Sequence, residues 1–147
     1  MSNNQLSNIY SKILSSTEDA MNKVLQQAVN VAYDYIRTEW YSKHPNGLND
    51  NFANTYKRTG ELLDSLKIKC TKVNNGVIGE LYISNEQHSP SNSWNQNPVS
   101  FKDLYSWFER VYSEQGILDF TKEYLITTGE ALNIIKRTLR ENGLNIQ

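Results

Sequence analysis

A single thiol, Cys70, and two imidazoles, His44 and His88, are the residues from which a nucleophile–base pair or a metal site would be built. Their placement points elsewhere. Cys70 alternates with Leu66 and Ile68 on the inward face of a predicted strand, whereas both histidines fall in predicted loops. The thiol reads as a small buried hydrophobe. There is no Cys-x-x-Cys and no His-x-x-x-His to start a zinc site. The adjacent carboxylates Glu18 and Asp19 sit where a helix is expected to begin and read as cap charges. Glu80 and Glu86 flank a strand and read as solvated. Glycines are scattered singly, and Gly60 lacks a following Lys-Ser or Lys-Thr, so no phosphate loop is expected. The expectation is a chain with no catalytic residues, no bound cofactor and no metal.

Charge narrows the partners. Fifteen basic and sixteen acidic side chains leave a formal net charge of -1, which argues against a dedicated nucleic-acid or membrane-surface binder. Lys136, Arg137 and Arg140 cluster near a helix end, where cations complement the helix dipole. Lys67 and Lys69 share the outer face of a hairpin and keep it solvated. One cysteine permits no internal disulfide and suits a reducing compartment. The N-terminal residues carry no basic region followed by an apolar run, and no stretch approaches the ~20 apolar residues of a membrane span. Assembly in cytoplasm is expected.

Two tryptophans stand out as subunit-interface candidates, because tryptophan is a frequent interface anchor. Trp94 lies alone in a polar stretch containing Pro90 and Pro98. Trp107 falls off the stripe formed by Phe101, Leu104, Tyr105, Phe108 and Tyr112.

The elements that would position these residues follow from periodicity. The 147 residues suit a single domain, which at this size buries roughly 68–70% of its unfolded surface. Leu6, Ile9, Tyr10 and Ile13 predict a short first helix over 5–14. Ser15 with Glu18, or Ser16 with Asp19, offers a fresh cap. A second helix over 17–41 follows, with Met21, Val24, Leu25, Ala28, Ala32, Tyr35, Ile36 and Trp40 as its stripe. It would be about 35 Å long, and His44-Pro45 would end it. A hairpin over 66–84 is expected to turn at Asn75-Gly76, which places Cys70 opposite Leu81 and Ile68 opposite Ile83. Residues 85–100 read as a long loop, flexible or ordered only on assembly. Ser100 and Asp103 cap a third helix. A fourth, starting near Asp119 or Thr121, carries Tyr124, Leu125, Ala131, Leu132, Ile135 and Leu139, contains Gly129, and stops at Asn142-Gly143. The class is α+β: a long N-terminal helix and a C-terminal helical pair packed on a small antiparallel sheet containing a β-hairpin.

Between the spine helix and the hairpin runs Tyr56-Lys57-Arg58-Thr59-Gly60-Glu61-Leu62-Leu63-Asp64-Ser65-Leu66. Thr59 can cap a short helical turn, and Glu61 then lies where the helix dipole favours a carboxylate. Leu62, Leu63 and Leu66 supply an apolar side, and Ser65 ends the turn. The order aromatic–x–Arg–Thr–Gly–x–Leu–x–x–Ser ahead of a strand resembles the tail-completion family of tailed-phage minor tail proteins. The ordering of elements and the aromatic pair Trp40-Tyr41 extend the likeness loosely.

The resemblance implies a non-enzymatic virion protein that joins head to tail as a homo-oligomeric ring at the neck. Its partners would be copies of itself and other neck or tail proteins. DNA would be passing cargo without specific binding, and no membrane would be involved. Tyr56, Arg58, Thr59, Gly60, Leu62 and Ser65 would be structural, shaping the approach to the sheet. The chain departs from the family where an aromatic–Gly motif is expected after the hairpin: it has Ser84-Asn85-Glu86-Gln87-His88 instead. An alternative reading is a regulatory or adaptor module of a mobile element that binds a protein or RNA partner.

Overall fold

A computed structural model describes residues 1–41, 61–88, 99–112 and 116–147. The fold is α+β. Helix α1 (Asn3–Tyr35) continues into a π-helical turn (Ile36–Tyr41), followed by α2 (Glu61–Asp64), β1 (Leu66–Val73), β2 (Gly76–Ile83), β3 (Gln87–His88), β4 (Val99–Ser100), α3 (Phe101–Tyr112), α4 (Ile117–Thr127) and α5 (Glu130–Glu141). Two separate two-stranded sheets form, β1–β2 and β3–β4. The backbone groups into two compact units. The first holds Met1–Ala28, Ile68–Leu81 and Lys122–Gln147, and the second holds Val29–Lys67 and Tyr82–Thr121.

In the first unit, α1 is continuous through the expected boundary at residues 15–16. Thr17 donates its hydroxyl to the Ile13 carbonyl at 2.8 Å, the mid-helix habit of a threonine. The cap residues are overruled by burial: Ser16 and Ala20 are both in the core. Glu18 and Asp19 are therefore mid-helix groups with tertiary partners and not cap charges. Glu18 pairs with Lys72 of β1 at 2.7 Å. Asp19 accepts from the Asn142 amide at 3.0 Å and faces Lys23 at 3.6 Å.

The ribbon β1–β2 lies along α1. Its turn is Asn74-Asn75 rather than Asn75-Gly76, and Gly76 already belongs to β2. None of these three residues has a positive φ, so the primed turn favoured by Asn-Gly is not used. The Asn74 carbonyl instead accepts the Tyr10 hydroxyl. Moving a two-residue turn by one position shifts each opposite partner by two, so every side chain keeps its face. Val77, Gly79, Leu81 and Ile83 are half-buried, while Ile78, Glu80 and Tyr82 are exposed. On β1 the covered side is thinner: Cys70 is half-buried, but Ile68, expected inward beside it, is exposed. Gly79 is where strand and helix approach most closely. A Cβ there would lie 2.5 Å from Met21 Sδ and 3.2 Å from Leu25 Cδ2.

The expected fourth helix is two helices. Gly129 has φ 71 and ψ 7, a left-handed conformation that glycine adopts without steric penalty. The break resets the helical phase. Leu125, Ile134 and Thr138 are buried, while Tyr124 and Leu132, assigned to the stripe from spacing alone, are exposed. α5 ends as expected at Asn142-Gly143. Gly143 N–H donates to the Arg140 carbonyl at 2.9 Å and Leu144 N–H to the Leu139 carbonyl at 2.9 Å, which is the Schellman arrangement.

In the second unit, Ile36, Leu66, Phe101, Tyr105, Ile117 and Thr121 are buried. The rings of Tyr35 and Phe120 stack with centroids 4.2 Å apart. The expected loop over 85–100 is pinned at both ends, since Gln87 pairs with Ser100 and His88 with Val99. His88 is thus in a strand and not in a loop. Ser100 caps α3 as its spacing predicts, with Asp103 N–H donating to its hydroxyl at 3.2 Å. α4 begins at Ile117, earlier than expected, because its first N–H is satisfied from a distance: Glu109 Oε1 accepts it at 2.8 Å.

Candidate functional site

Cys70 is half-buried on the ribbon of the first unit. Its thiol pKa is raised, first by burial and then by the neighbouring Glu18 carboxylate, with Lys72 opposing. A raised pKa leaves less thiolate, the reactive form. His44 lies outside the described residues. Among the described residues, no group of three His, Cys, Asp or Glu side chains could hold a metal ion. No helix there is long and apolar enough to cross a membrane.

Of the basic cluster near the C-terminus, Arg140 lies in the last turn of α5. Arg137 faces Glu141 one turn on, at 3.9 Å. Lys67 and Lys69 are exposed on β1.

What the structure does present is unpartnered surface. Both ribbon strands are eight residues long, and among the described residues no third strand joins either outer edge. The face turned away from α1 exposes Ile78 at 51% and Tyr82 at 44%. Another exposed apolar surface is the first third of α1. Leu6, Ile9, Tyr10 and Ile13 are each 45% exposed or more.

Of the motif Tyr56 to Ser65, the structure describes only the end. Tyr56, Arg58, Thr59 and Gly60 lie outside the described residues. Leu62 is in α2. Ser65 is 2% exposed, and its carbonyl accepts the Ser84 N–H at 2.7 Å. That bond closes the base of the ribbon just beyond its last strand residues. Trp94 lies outside the described residues, and Trp107 is placed in α3.

Comparison with protein-family models, curated proteins and solved structures finds no match. The reading of this surface therefore rests on the chain's own geometry and on the motif likeness.

Sequence reasoning missed two features. The N-terminal stripe was legible as helical periodicity, but its exposure was not, because a stripe does not state what covers it. The Glu109–Ile117 contact joins residues eight apart across a helix boundary, and no short motif encodes it.

Proposed function

We propose that this chain is a non-enzymatic structural protein of a tailed-phage virion, a self-assembling subunit of the ring that joins head to tail. One observation carries the reading: the β1–β2 ribbon follows the Arg58-Thr59-Gly60 segment in the sequence and, among the described residues, no third strand joins its edges. A two-stranded ribbon is marginal alone and offers unpaired N–H and C=O groups along both borders. In a ring, each copy pairs or covers a border of its neighbour, and the contact repeats until the circle closes. Near-zero net charge suits a lining past which DNA slides, since each phosphate contact would add salt-sensitive drag.

The test is the mass of the purified protein by analytical ultracentrifugation, alone and mixed with portal-side and tail-side neck proteins. Higher-order closed assemblies are expected. A strict monomer in both settings overturns the ring. Trp94→Ala is expected to weaken assembly without altering the melting temperature. Salt-dependent retention on nucleic acid would instead favour an adaptor that binds RNA.

A further inference from the structure

In the first unit, α1 and the end of α5 flank a cleft of about 370 Å³, lined by Lys12, Ser15, Ser16, Asp19 and Asn142. Small-molecule sites begin at on the order of 300 Å³. The four α1 residues follow at i, i+3, i+4 and i+7, so they share one face of the helix. Asn142 is the C-cap of α5, and its amide donates to Asp19 Oδ2 at 3.0 Å. Lys12 Nζ lies beside Gly143, 3.5 Å from where an added Cβ would be.

Ser16 is 5% exposed, yet its hydroxyl makes no hydrogen bond among the described residues. Thr17, next to it, donates to the carbonyl four residues earlier, the usual outlet for a hydroxyl inside a helix. Ser16 does not take that outlet. A buried hydroxyl without a partner costs stability, and alanine would be the better helix former. The Ser15 hydroxyl is likewise without a partner, and Lys12 makes no ion pair among the described residues. Asp19 uses one carboxylate oxygen, Oδ2, towards both Asn142 and Lys23, which leaves Oδ1 as an acceptor.

The lining selects its ligand by exclusion. No apolar residue lines the cleft, so an apolar ligand gains nothing there. An anion would meet the Asp19 carboxylate and the negative end of the α5 dipole. A cation would meet Lys12, with Lys23 3.6 Å from Asp19 as a second opposing charge. A neutral molecule that donates and accepts at neighbouring atoms suits all five residues. Lys12 only donates, Asp19 only accepts, and serine hydroxyls do both. Adjacent hydroxyls on a sugar ring match that order.

We propose that this cleft binds a neutral saccharide through adjacent ring hydroxyls, which accept from Lys12 and Ser16 and donate to Asp19 and the Asn142 side-chain carbonyl. The site lies on α1 and the end of α5 and does not use the ribbon edges, so it is independent of ring assembly.

The experiment is a titration of the isotope-labelled full-length chain, followed by backbone amide chemical shifts. The probes are the methyl glycosides of glucose, galactose and mannose, with sodium acetate and sodium phosphate as anion controls. At least one glycoside should shift the amides of Lys12, Ser15, Ser16, Asp19 and Asn142, with a dissociation constant on the order of 1 mM for so small a ligand. Its affinity should not change with salt, because the ligand is uncharged. Ser16→Ala should weaken binding about 5–10-fold, while the melting temperature holds or rises. Lys12→Ala, at an exposed position, should weaken binding without altering the melting temperature.

No shift at these amides with any of the three glycosides overturns the proposal. Shifts produced by acetate or phosphate but not by the glycosides overturn it in favour of an anion at Lys12. Glycoside binding that Ser16→Ala and Lys12→Ala both leave unchanged places the sugar elsewhere and overturns the cleft as its site.

Discussion

The Glu18 carboxylate meets the Lys72 ammonium at 2.7 Å, tying the middle of α1 to the outgoing strand beside the one thiol of the chain. Both side chains are partly exposed, at 33% and 50%, so the pair adds little to stability, ~0.2–1 kcal/mol. Both charges also act on the Cys70 thiol, in opposite directions and after burial, which is the first cause of its raised pKa.

Because Glu18 raises the Cys70 pKa and Lys72 lowers it, the two substitutions should act in opposite directions. Glu18→Gln should shift the pH profile of iodoacetamide alkylation to lower pH and speed the reaction near neutrality. Lys72→Gln should shift it upward. Equal profiles for wild type and both variants would show that the charges do not reach the thiol.

Gly79 and Gly76 differ in the space around them, though both lie in β2. A Cβ at position 79 would meet Met21 Sδ at 2.5 Å and Met21 Cγ at 2.8 Å, whereas one at position 76 meets nothing within 4 Å. Gly79→Val should lower stability by about 1–3 kcal/mol, and Met21→Ala in the same chain should recover part of that loss. Gly76→Ala should be neutral or raise stability by up to ~1 kcal/mol through the unfolded state. Urea unfolding midpoints provide the comparison.

Thr138 is fully buried, and its hydroxyl has no hydrogen-bond partner among the described residues. Removing an unsatisfied buried hydroxyl while keeping the shape relieves a desolvation penalty. Thr138→Val should therefore raise stability by about 1 kcal/mol, seen as a higher urea midpoint. A fall would mean that the hydroxyl is bonded in solution.

Tyr33 has its phenol pKa raised from the ordinary value of 10.0 by burial and by Asp64, with Arg37 opposing. The Arg37 guanidinium lies 5.9 Å from the ring centroid. For an acid whose folded pKa is raised, the unfolded chain ionises first. Stability is therefore unaffected below about pH 10 and falls as pH rises above it. Tyr33→Phe should flatten the alkaline limb of a melting-temperature profile and leave the neutral region unchanged in slope.

Much of the fold was legible because its signals are local. The alternation of Val77, Gly79, Leu81 and Ile83 against Ile78, Glu80 and Tyr82 assigned both faces of β2, and a shift of the turn by one residue could not scramble them. Ser100 with Asp103, and Asn142 with Gly143, marked helix ends whose hydrogen bonds close within a few residues. Where local signals competed, they misled. The serines at 15 and 16 resemble a helix start, but Ser16 is buried in an unbroken helix. The stripe through Leu132 assumed one helix where Gly129 makes two.

From the order of its residues alone, this chain determined most of its elements, the alternation of its ribbon and its near-neutral charge, since each depends on composition or on contacts a few positions apart. Only the tertiary structure decided which of several apolar stripes would be covered. Leu6, Ile9 and Ile13 carry the same helical signal as Leu25, Ala28 and Ile36. What separates them is cover: Leu25, Ala28 and Ile36 are buried, whereas Leu6, Ile9 and Ile13 stay exposed although the ribbon turn reaches Tyr10 and Gly143 lies near Lys12. Burial depends on where other elements end in space, and spacing along one helix carries no record of that.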